Sequence, residues 1–515
     1  MGGWSTKIAT ICSATGRSYT YADLHKRTLN TAKALRGRLK LRPGAAVAIL
    51  LPNIPEYPIV FLGVVEANLV VTTVNPLYTA EEISRQLLDS DAQAIITLVD
   101  YHDTAVQATV TAKKTIPIIT IKTQPNVATP QGTIDFAQFS ENTTDFDLRP
   151  GNVEDIIAMP YSSGTTGLPK GVELCHRNIV SNLLQVVDVE SVIQPSTQDH
   201  QDIIPAILPL YHIYGMTVNM LKLLHNGCKI VTVPKFTPDT FVDLLDKHQP
   251  NHLLVVPPIV IFMAANPSVT TEHLNSVKSI ISGAAPLGAA DMERFVEKAG
   301  KEIIALQGFG MTETSPAICM TPPEIWRECL GSIGRVLCNT EAKIVALDDA
   351  TCTPLGPHEK GELFVKGPQV MCRYHNNPKA TEQVLVDGWL RTGDMAYYDD
   401  QKILWITDRL KELIKVKGFQ VAPAELEEII RDHPQIADAA VIGIPDPYSG
   451  EVPKAYVVPK ANAQISSEEI QQYVAGKVAS YKKLHGGVTI LNAIPKTQSG
   501  KIMRRTLRQM HDESE

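Results

Sequence analysis

This chain of 515 residues lacks the features that would place it in several large classes of protein. It has no basic excess, since 48 Lys and Arg stand against 55 Asp and Glu, and its net charge is −7. Nucleic acid is therefore not an expected partner. The longest apolar run, at residues 253–265, is broken by Pro257 and Pro258 and is too short to cross a bilayer. We therefore expect no membrane span.

Cysteine patterns that bind zinc or build a disulfide framework are also missing. No two of the eight cysteines form a C-x-x-C pair, and none has zinc-like spacing with a histidine. We expect reduced, unpaired thiols in an intracellular protein. No apolar segment follows Lys7 as it would in a signal peptide, and the chain ends in HDESE instead of an S-K-L-type peroxisomal signal. These features predict a cytoplasmic location.

Short β-rich runs alternate with helical segments through most of the chain. The runs AAVAILL, AQAIITLV, IPIITI, KIVTV, HLLVV and SVKSIIS predict buried strands. Helices are predicted at 238–247 and 289–298. Such alternation is typical of the α/β class, with layered, largely parallel sheets. The polar, turn-rich residues 124–147 predict a surface excursion.

The character of the sequence changes after about Asp408. Charged helices predicted at 424–431 and 467–478 flank short strands at 439–444 and 454–459. This pattern predicts a small α+β domain, and the whole chain is too long for one ordinary core. We therefore expect a large N-terminal domain, residues 1–407, and a small C-terminal domain, residues 408–515.

The segment YSSGTTGLPKGV, residues 161–172, is the most informative in the chain. Glycines allow several backbone N–H groups to face one anion, and the hydroxyls and Lys170 add donors and a positive charge. The segment differs from the common G-x-x-x-x-G-K-[ST] loop, because Gly171 stands where a magnesium-binding Ser or Thr would be. It predicts a polyphosphate site, although a Ser/Thr/Gly-rich surface turn has similar composition. The predicted phosphate-binding residues are Ser162, Ser163, Gly164, Thr165, Thr166, Gly167 and Lys170.

Five further segments accompany this loop. They are LPLYHIYG (208–215), QGFGMTET (307–314), GWLRTGD (388–394), DRLKELIKVKGFQVAPAELE (408–427) and PKTQSGKIMRR (495–505). With them the chain resembles the acyl-adenylate-forming superfamily of acyl-CoA synthetases, 4-coumarate–CoA ligases, luciferases and peptide-synthetase adenylation domains. The resemblance spans nearly the whole chain and is closest to 4-coumarate–CoA ligases and luciferase-like acyl-CoA synthetases. It implies a carboxylic acid–CoA ligase that uses ATP, Mg²⁺ and coenzyme A, with a mobile C-terminal lid.

The resemblance implies where the nucleotide and its metal bind. Glu313, in GMTET, matches the carboxylate that holds Mg²⁺, which would bridge phosphate oxygens. Taken alone, it would be a surface Glu beside a turn. Gln307, Gly308 and Thr312 match positions around the adenine and the adenylate, where Gly308 lets the backbone approach.

Residues near the end of the chain complete the implied adenylation site. The two oxygens of Asp394 suit both ribose hydroxyls, although a turn or helix-cap Asp is common after a glycine. Arg409 would add a second ribose or phosphate contact. Lys501, which would otherwise be a solvated surface lysine, would bind the carboxylate and the α-phosphate and stabilise the transition state. Lys415 and Gln420 match positions that serve the same site.

The resemblance also implies residues for the second half-reaction, in which the sulfur of coenzyme A attacks the acyl-adenylate. Lys411 would be the hinge of the small domain, and Lys417 and Gly418 would line the pantetheine channel. A plain turn glycine is the alternative for Gly418. Lys235 matches a contact to a phosphate of coenzyme A. His212 matches the gate of the carboxylate site, although a lone His is more often structural.

The acyl pocket matches four positions, Tyr214, Gly283, Ala284 and Met320. Tyr214 offers an aromatic wall with a polar tip, which suits an aryl acid. In plant coumarate ligases the residue four past this Tyr is often small and hydroxylic, whereas here it is Val218. Medium-chain and long-chain fatty acids therefore stay open as substrates.

The sequence is less consistent with three other functions. An adenylation domain that loads a carrier protein usually has an Asp near the start of the pocket, where this chain has HIYG. A luciferase usually has Ser at the position of Thr165. A catalytically inactive relative would not be expected to keep Glu313, Asp394 and Lys501 together.

We expect a monomer or weak homodimer that binds a small carboxylic acid.

Overall fold

The computed structural model describes residues 4–124, 126–162, 169–189, 192–285, 287–347, 351–416, 419–461, 463–478, 480–497 and 500–513. None of the eight cysteines is in a disulfide, as the sequence predicted. In this part of the chain no helix is both long and apolar enough to span a membrane.

Strands and helices follow one another along the whole chain. The N-terminal strands are β1 (Ile8–Cys12), β2 (Ser18–Thr20), β3 (Ala46–Leu50), β4 (Val70–Thr73), β5 (Ala94–Leu98), β6 (Ile118–Ile121), β7 (Ile134–Asp135), β8 (Ile156–Ala158), β9 (Tyr161–Ser162), β10 (Lys170–Cys175), β11 (Ile203–Ala206) and β12 (Lys229–Thr232). They continue with β13 (His252–Val255), β14 (Ser279–Ser282), β15 (Ile304–Gly310), β16 (Ala317–Met320), β17 (Arg335–Val336), β18 (Glu341–Val345), β19 (Gly361–Lys366), β20 (Arg373–Tyr374), β21 (Leu385–Val386), β22 (Trp389–Tyr398) and β23 (Leu404–Arg409). The C-terminal strands are β24 (Ile414–Val416), β25 (Phe419–Val421), β26 (Ile436–Asp446), β27 (Gly450–Pro459) and β28 (Val488–Ile490).

The helices lie mostly between these strands. They are α1 (Tyr21–Gly37), α2 (Tyr57–Glu66), α3 (Ala80–Asp89), α4 (His102–Thr111), α5 (Phe136–Glu141), α6 (His176–Val189), α7 (Leu223–His225), α8 (Pro238–His248), α9 (Pro257–Ala265), α10 (Ala289–Ala299), α11 (Pro378–Val384), α12 (Pro423–Arg431), α13 (Ser467–Ala475) and α14 (Arg504–Asp512). A π-helix, Tyr214–Lys222, runs directly into α7.

The strands form layered sheets. In the N-terminal part the orders are β11-β12-β1-β2, then β20-β10-β8-β4-β3-β5-β6-β7 with β9 on β10, then β13-β14-β15-β16-β17, and β18-β19-β22-β21 with β23 on β22. The C-terminal sheet has the order β25-β24-β27-β26, with β28 on β27. Together with the intervening helices, this is the large α/β domain and small α+β domain that the sequence predicted.

Parallel pairing decides where a site can form. Strands β13, β14 and β15 are parallel, and the pairing of β14 with β15 ends at Ser282 and Gln307. Ligands of open α/β sheets bind at that end of the strands. Gly283 follows β14 directly and Gly308 lies in β15 just after its pairing with β14, so the sheet brings two predicted site segments together.

The sequence-based element predictions are largely confirmed, with one correction. Residues 124–147 are not only a surface excursion, because they contain β7 at a sheet edge and the helix α5. Phe136 and Phe139 are three residues apart, lie on one face of α5 and are both buried. The sequence did not predict this helix, because only two apolar residues stand among polar ones.

The largest hydrophobic cores of the two parts of the chain divide near the predicted domain junction. The large core includes residues from Ala9 to Leu404, and a separate core begins at Ile414. Strand β23 still pairs with β22 as far as Arg409. The turn that follows contains Lys411, whose side chain is exposed. The boundary at residue 408 and the hinge at Lys411 stay predictions.

Candidate active site

Strands β9 and β10 form the base of the predicted phosphate loop. They are antiparallel, and Ser162 stands opposite Lys170 in their register. The segment between them, which contains Ser163, Gly164, Thr165, Thr166 and Gly167, lies outside the described residues. The pairing nevertheless places both ends of the loop side by side, with a hydroxyl and an ammonium group at its base.

Glu313 lies in a short 3₁₀ turn (Thr312–Thr314) and is buried. Its Oε1 accepts a hydrogen bond from Ser162 Oγ at 3.0 Å and another from the Tyr374 hydroxyl at 2.7 Å. Its backbone carbonyl accepts from Met371 N–H at 2.8 Å. Glu313 is therefore joined directly to the base of the phosphate loop.

Asp394 and Arg409 form the second part of the site. They face each other across β22 and β23, and Arg409 Nε lies 3.1 Å from Asp394 Oδ1. Asp394 is only 2% exposed, and its Oδ2 is buried without a hydrogen-bond donor among the described residues. Burial raises the pKa of this carboxyl, while Arg409 and Lys501 act in the opposite direction. An unpaired buried acceptor is costly unless a ligand supplies donors.

Lys501 enters the same site from the C-terminal domain. Its backbone N–H donates to Thr497 Oγ1 at 3.2 Å, and a Cβ on the neighbouring Gly500 would lie 2.9 Å from Pro258 of α9. The loop is therefore packed against the large domain. Burial, with the nearby Arg409 charge, lowers the pKa of Lys501 to about 8, against the opposing charges of Glu412 and Asp394.

His212 connects Lys501 with the predicted acyl segment. Its Nδ1 accepts from the backbone N–H of Tyr214 at 3.4 Å. Burial and the charge of Lys501 together lower the pKa of His212 to about 4, so the ring is neutral at pH 7. A neutral imidazole beside a lysine offers a polar wall without adding a second positive charge.

Tyr214 begins the π-helix, a geometry that is frequent at functional sites. Its hydroxyl donates to the carbonyl oxygen of Ile281 at 3.3 Å, and its ring lies against Gly283, where a Cβ would be 3.0 Å from Cε1. Ala284 is exposed and has a positive φ of 70°. Met320 stands opposite Gly308 in the β15–β16 register. The four predicted acyl-pocket residues thus border the ends of β14 and β15.

The remaining nucleotide-site predictions differ in how their side chains are used. The Gln307 amide donates to Ser332 O at 2.7 Å and accepts from Leu287 N–H at 3.1 Å, so both of its ends are occupied by backbone. A Cβ on Gly308 would meet nothing nearer than 3.8 Å, which leaves room above its backbone. Thr312 is buried beside Glu313.

Several predicted residues do not join this cluster in the structure described. Lys235, Lys411 and Lys415 are exposed, and among the described residues no hydrogen bond or ion pair joins their side chains to the cluster. Lys415 pairs with Gln420 across β24 and β25. The side chain of Gln420, and Lys417 and Gly418 altogether, lie outside the described residues.

Two residues in the site were missed by sequence reasoning. Tyr374 contacts Glu313, as described above, and its ring lies under Lys170 Nζ at 4.8 Å from the centroid. Glu412 influences the pKa of both Lys501 and Arg409, and its Oε2 lies 2.9 Å from Arg504 Nη1. Glu412 lies in the segment DRLKELIK, so the sequence could have indicated a charged residue of the site there. Tyr374 lies outside all the quoted segments, and the sequence offered no indication of its role.

The arrangement joins cations and carboxylates in one place. The charge of Glu313 also contributes to the raised pKa of Arg409, after the larger effect of Asp394. Arg409 therefore connects the carboxylate at the loop with the one at β22. Fixed positive groups between two such points can screen the approach of one anion to another.

Comparisons with known proteins show the family of this chain. Residues 2–375 match the family described as AMP-binding enzyme, and residues 425–501 match the AMP-binding enzyme C-terminal domain. A 4-coumarate–CoA ligase 3 of Oryza sativa subsp. japonica is 40% identical over 503 residues, covering 96% of this chain and 87% of the relative. A 4-coumarate–CoA ligase 2 of Narcissus pseudonarcissus is 39% identical and covers 97% of this chain and 88% of the relative.

Solved structures share the whole fold. The ATP-bound MatB of Rhodopseudomonas palustris has a TM-score of 0.88 and 27% identity, covering 99% of this chain and 97% of that one. An o-succinylbenzoate CoA synthetase of Bacillus subtilis, in complex with its acyl-adenylate intermediate, has a TM-score of 0.80 and 26% identity, covering 98% and 95%. The chain therefore belongs to the AMP-binding enzyme family. The predicted membership of the acyl-adenylate-forming superfamily is confirmed.

Proposed function

We propose that this enzyme is a carboxylic acid–CoA ligase of two half-reactions. In the first, a carboxylate oxygen attacks the α-phosphorus of ATP, and the bond to the leaving pyrophosphate breaks to give an acyl-adenylate. In the second, the sulfur of coenzyme A attacks the acyl carbon, loses its proton, and AMP leaves. The names of the relatives support the acid–CoA ligase assignment.

One observation carries the nucleotide assignment. Asp394 has one oxygen on Arg409 and a second, buried oxygen with no donor among the described residues. The vicinal hydroxyls of a ribose would supply the missing donors. The neighbouring Lys501 and Arg409 then lie where a phosphate attached to that ribose needs positive charge.

Glu313 fits a role as ligand of Mg²⁺. Both of its side-chain hydrogen bonds fall on Oε1, and no donor to Oε2 is found among the described residues. In the same part of the chain no group of three His, Cys, Asp or Glu side chains could hold a metal by itself. One carboxylate together with substrate phosphates is a usual way of binding Mg²⁺. When bound, the ion would neutralise charge on the phosphates.

Lys501 is proposed to hold the attacking carboxylate and the α-phosphate together. Its lowered pKa leaves it charged at neutral pH, and anions brought into the site would favour that charge further. His212, neutral between Lys501 and Tyr214, is proposed to orient the carboxylate at the entrance to the acyl pocket.

The second half-reaction is proposed to need a different position of the C-terminal domain. In the structure, Gly500, the neighbour of Lys501, packs closely on Pro258 of α9. Rotation about the exposed turn at Lys411 would withdraw Lys501 and bring the β24–β25 hairpin, with Lys417 and Gly418, toward the acyl-adenylate. Lys235, exposed after β12, is proposed to contact a phosphate of coenzyme A.

The acid is proposed to be an aryl acid of the hydroxycinnamate kind. The Tyr214 ring lies next to Gly283, its hydroxyl donates to the carbonyl oxygen of Ile281, and an aromatic wall of this kind suits a planar substrate. Val218 is buried and apolar, so this position supplies no hydroxyl for a substituent on the ring. Unsubstituted or less polar aryl acids should therefore rank above heavily hydroxylated ones.

A panel of acids tests the proposal. Pyrophosphate release should require ATP, Mg²⁺ and an acid, and AMP with acyl-CoA should accumulate when coenzyme A is added. The panel should contain cinnamates, benzoates and medium-chain and long-chain fatty acids. Formation of ADP and orthophosphate as primary products would contradict adenylation, and a preference for fatty acids would contradict the proposed substrate class alone.

A further inference from the structure

Tyr374 lies between Glu313 and Lys170 and is only 5% exposed. Its hydroxyl donates to Glu313 Oε1 at 2.7 Å. Lys170 Nζ lies over its ring, 4.8 Å from the centroid. One side chain therefore contacts both the carboxylate proposed to bind the metal and the lysine proposed to bind phosphate.

The chemistry of these contacts fixes their direction. The phenol O–H of Tyr374 is the donor and the carboxylate oxygen of Glu313 is the acceptor. A donor aimed at Oε1 restricts the rotation of the Glu313 carboxylate. Ser162 donates to the same oxygen, and Oε2 is thereby turned away from both donors. The electron-rich face of the ring attracts the Lys170 ammonium independently of that hydrogen bond.

The backbone around Tyr374 is itself firmly placed. Tyr374 pairs with Val172 across β20 and β10, on the strand that begins at Lys170. Its N–H donates to Thr381 Oγ1 at 3.0 Å, which ties β20 to α11. The backbone of Tyr374 is therefore held in place, which limits the positions that its hydroxyl can reach.

We infer that Tyr374 is a positioning residue that sets the Glu313 carboxylate and the Lys170 ammonium in fixed relation to each other around the metal–triphosphate. This inference rests on the proposed adenylation function and adds to it a residue outside the motifs that define the site. Groups that orient a metal ligand usually contribute substantially, and their loss lowers metal affinity or activity about 10- to 100-fold.

The test compares Tyr374→Phe with Tyr19→Phe. Tyr19 is a suitable control because its hydroxyl donates to Glu56 Oε1 at 2.8 Å, in a Tyr–Glu pair outside the site in which Tyr19 is partly buried and Glu56 is buried. The affinity for Mn²⁺ in the presence of α,β-methylene-ATP is measured from the electron paramagnetic resonance signal of free Mn²⁺. We expect Tyr374→Phe to weaken Mn²⁺ binding about 10- to 100-fold and Tyr19→Phe to leave it unchanged. Equal affinities for the wild type and Tyr374→Phe would overturn the inference.

Two further variants separate the routes of action. If Tyr374 acts through Glu313, adding Tyr374→Phe to Glu313→Gln should weaken Mn²⁺ binding no further, whereas an additive loss would contradict that route. Tyr374→Leu also removes the ring beneath Lys170, so it should weaken nucleotide binding beyond Tyr374→Phe. The test measures Mn²⁺ binding, so it does not depend on finding an acid that the enzyme uses. If no acid supports pyrophosphate release, the proposed function is refuted, but the inference about Tyr374 is not. Wild-type enzyme that binds no Mn²⁺ with the nucleotide would overturn both.

Discussion

Arg409 Nε lies 3.1 Å from Asp394 Oδ1, and the two residues are direct partners in the antiparallel pairing of β22 with β23. The pair uses one carboxylate oxygen and leaves the other buried without a donor in the described chain. Two adjacent strands thus prepare an acceptor that only a ligand would complete.

The Asp394 acceptor can be tested with Asp394→Asn. A hydrogen bond to a charged group contributes about 1.5–3 kcal/mol, so we expect KM for ATP to rise about 10- to 100-fold in pyrophosphate-release assays. The wild type should discriminate against 2′-deoxy-ATP and 3′-deoxy-ATP, and the variant should do so much less. Asp291→Asn, which breaks a surface pair with Arg294, is the matched control. Undiminished discrimination by Asp394→Asn would contradict the ribose assignment.

Lys501 predicts a pH dependence. Its pKa, lowered to about 8, means that it is charged below pH 8 and progressively neutral above it. We therefore expect kcat/KM for pyrophosphate release to be level near pH 7 and to fall above pH 8. Lys501→Arg should lower activity but move this alkaline limb upward, since the pKa of Arg is above about 12. An identical limb in both enzymes would show that another group controls it.

Tyr214 should govern the choice of acid. Tyr214→Ala removes the ring that rests on Gly283, so the ranking of acids should change, with aryl acids losing most. The KM for ATP serves as the internal control and should stay within a few fold. Gly283→Ala should displace the ring slightly and disfavour bulky aryl acids more than small ones. A collapse of ATP binding with an unchanged ranking would mean that Tyr214 is not in the acyl pocket.

Lys411 offers a test of domain rotation. The Lys411 N–H makes no backbone hydrogen bond in the described structure, so Lys411→Pro removes none while fixing φ. Single-turnover assays should show slower transfer from acyl-adenylate to coenzyme A, with adenylation nearly unchanged; Lys411→Ala should affect neither step. Lys501→Ala should do the reverse, lowering adenylation about 10²–10³-fold. Equal losses in both steps for both variants would argue for one fixed position of the small domain.

The sequence predicted most of the fold because the buried parallel strands are uninterrupted apolar runs. Its motifs predicted Asp394, Arg409 and Lys501 as site residues, and the structure brings these three close together. It missed Tyr374 because the contact with Glu313 depends on the pairing of β20 with β10, which joins residues about 200 positions apart. It missed α5 because two phenylalanines among polar residues form too short an apolar pattern to reveal helical periodicity.

The central claim is that a carboxylate oxygen of the acid attacks the α-phosphorus of ATP. An acid labelled with ¹⁸O in both carboxylate oxygens tests it, with mass analysis of all products after complete conversion in the presence of coenzyme A. The account predicts one ¹⁸O atom in the phosphate of AMP, one in the acyl-CoA carbonyl and none in pyrophosphate. Label in orthophosphate together with ADP, or AMP without label, would contradict it.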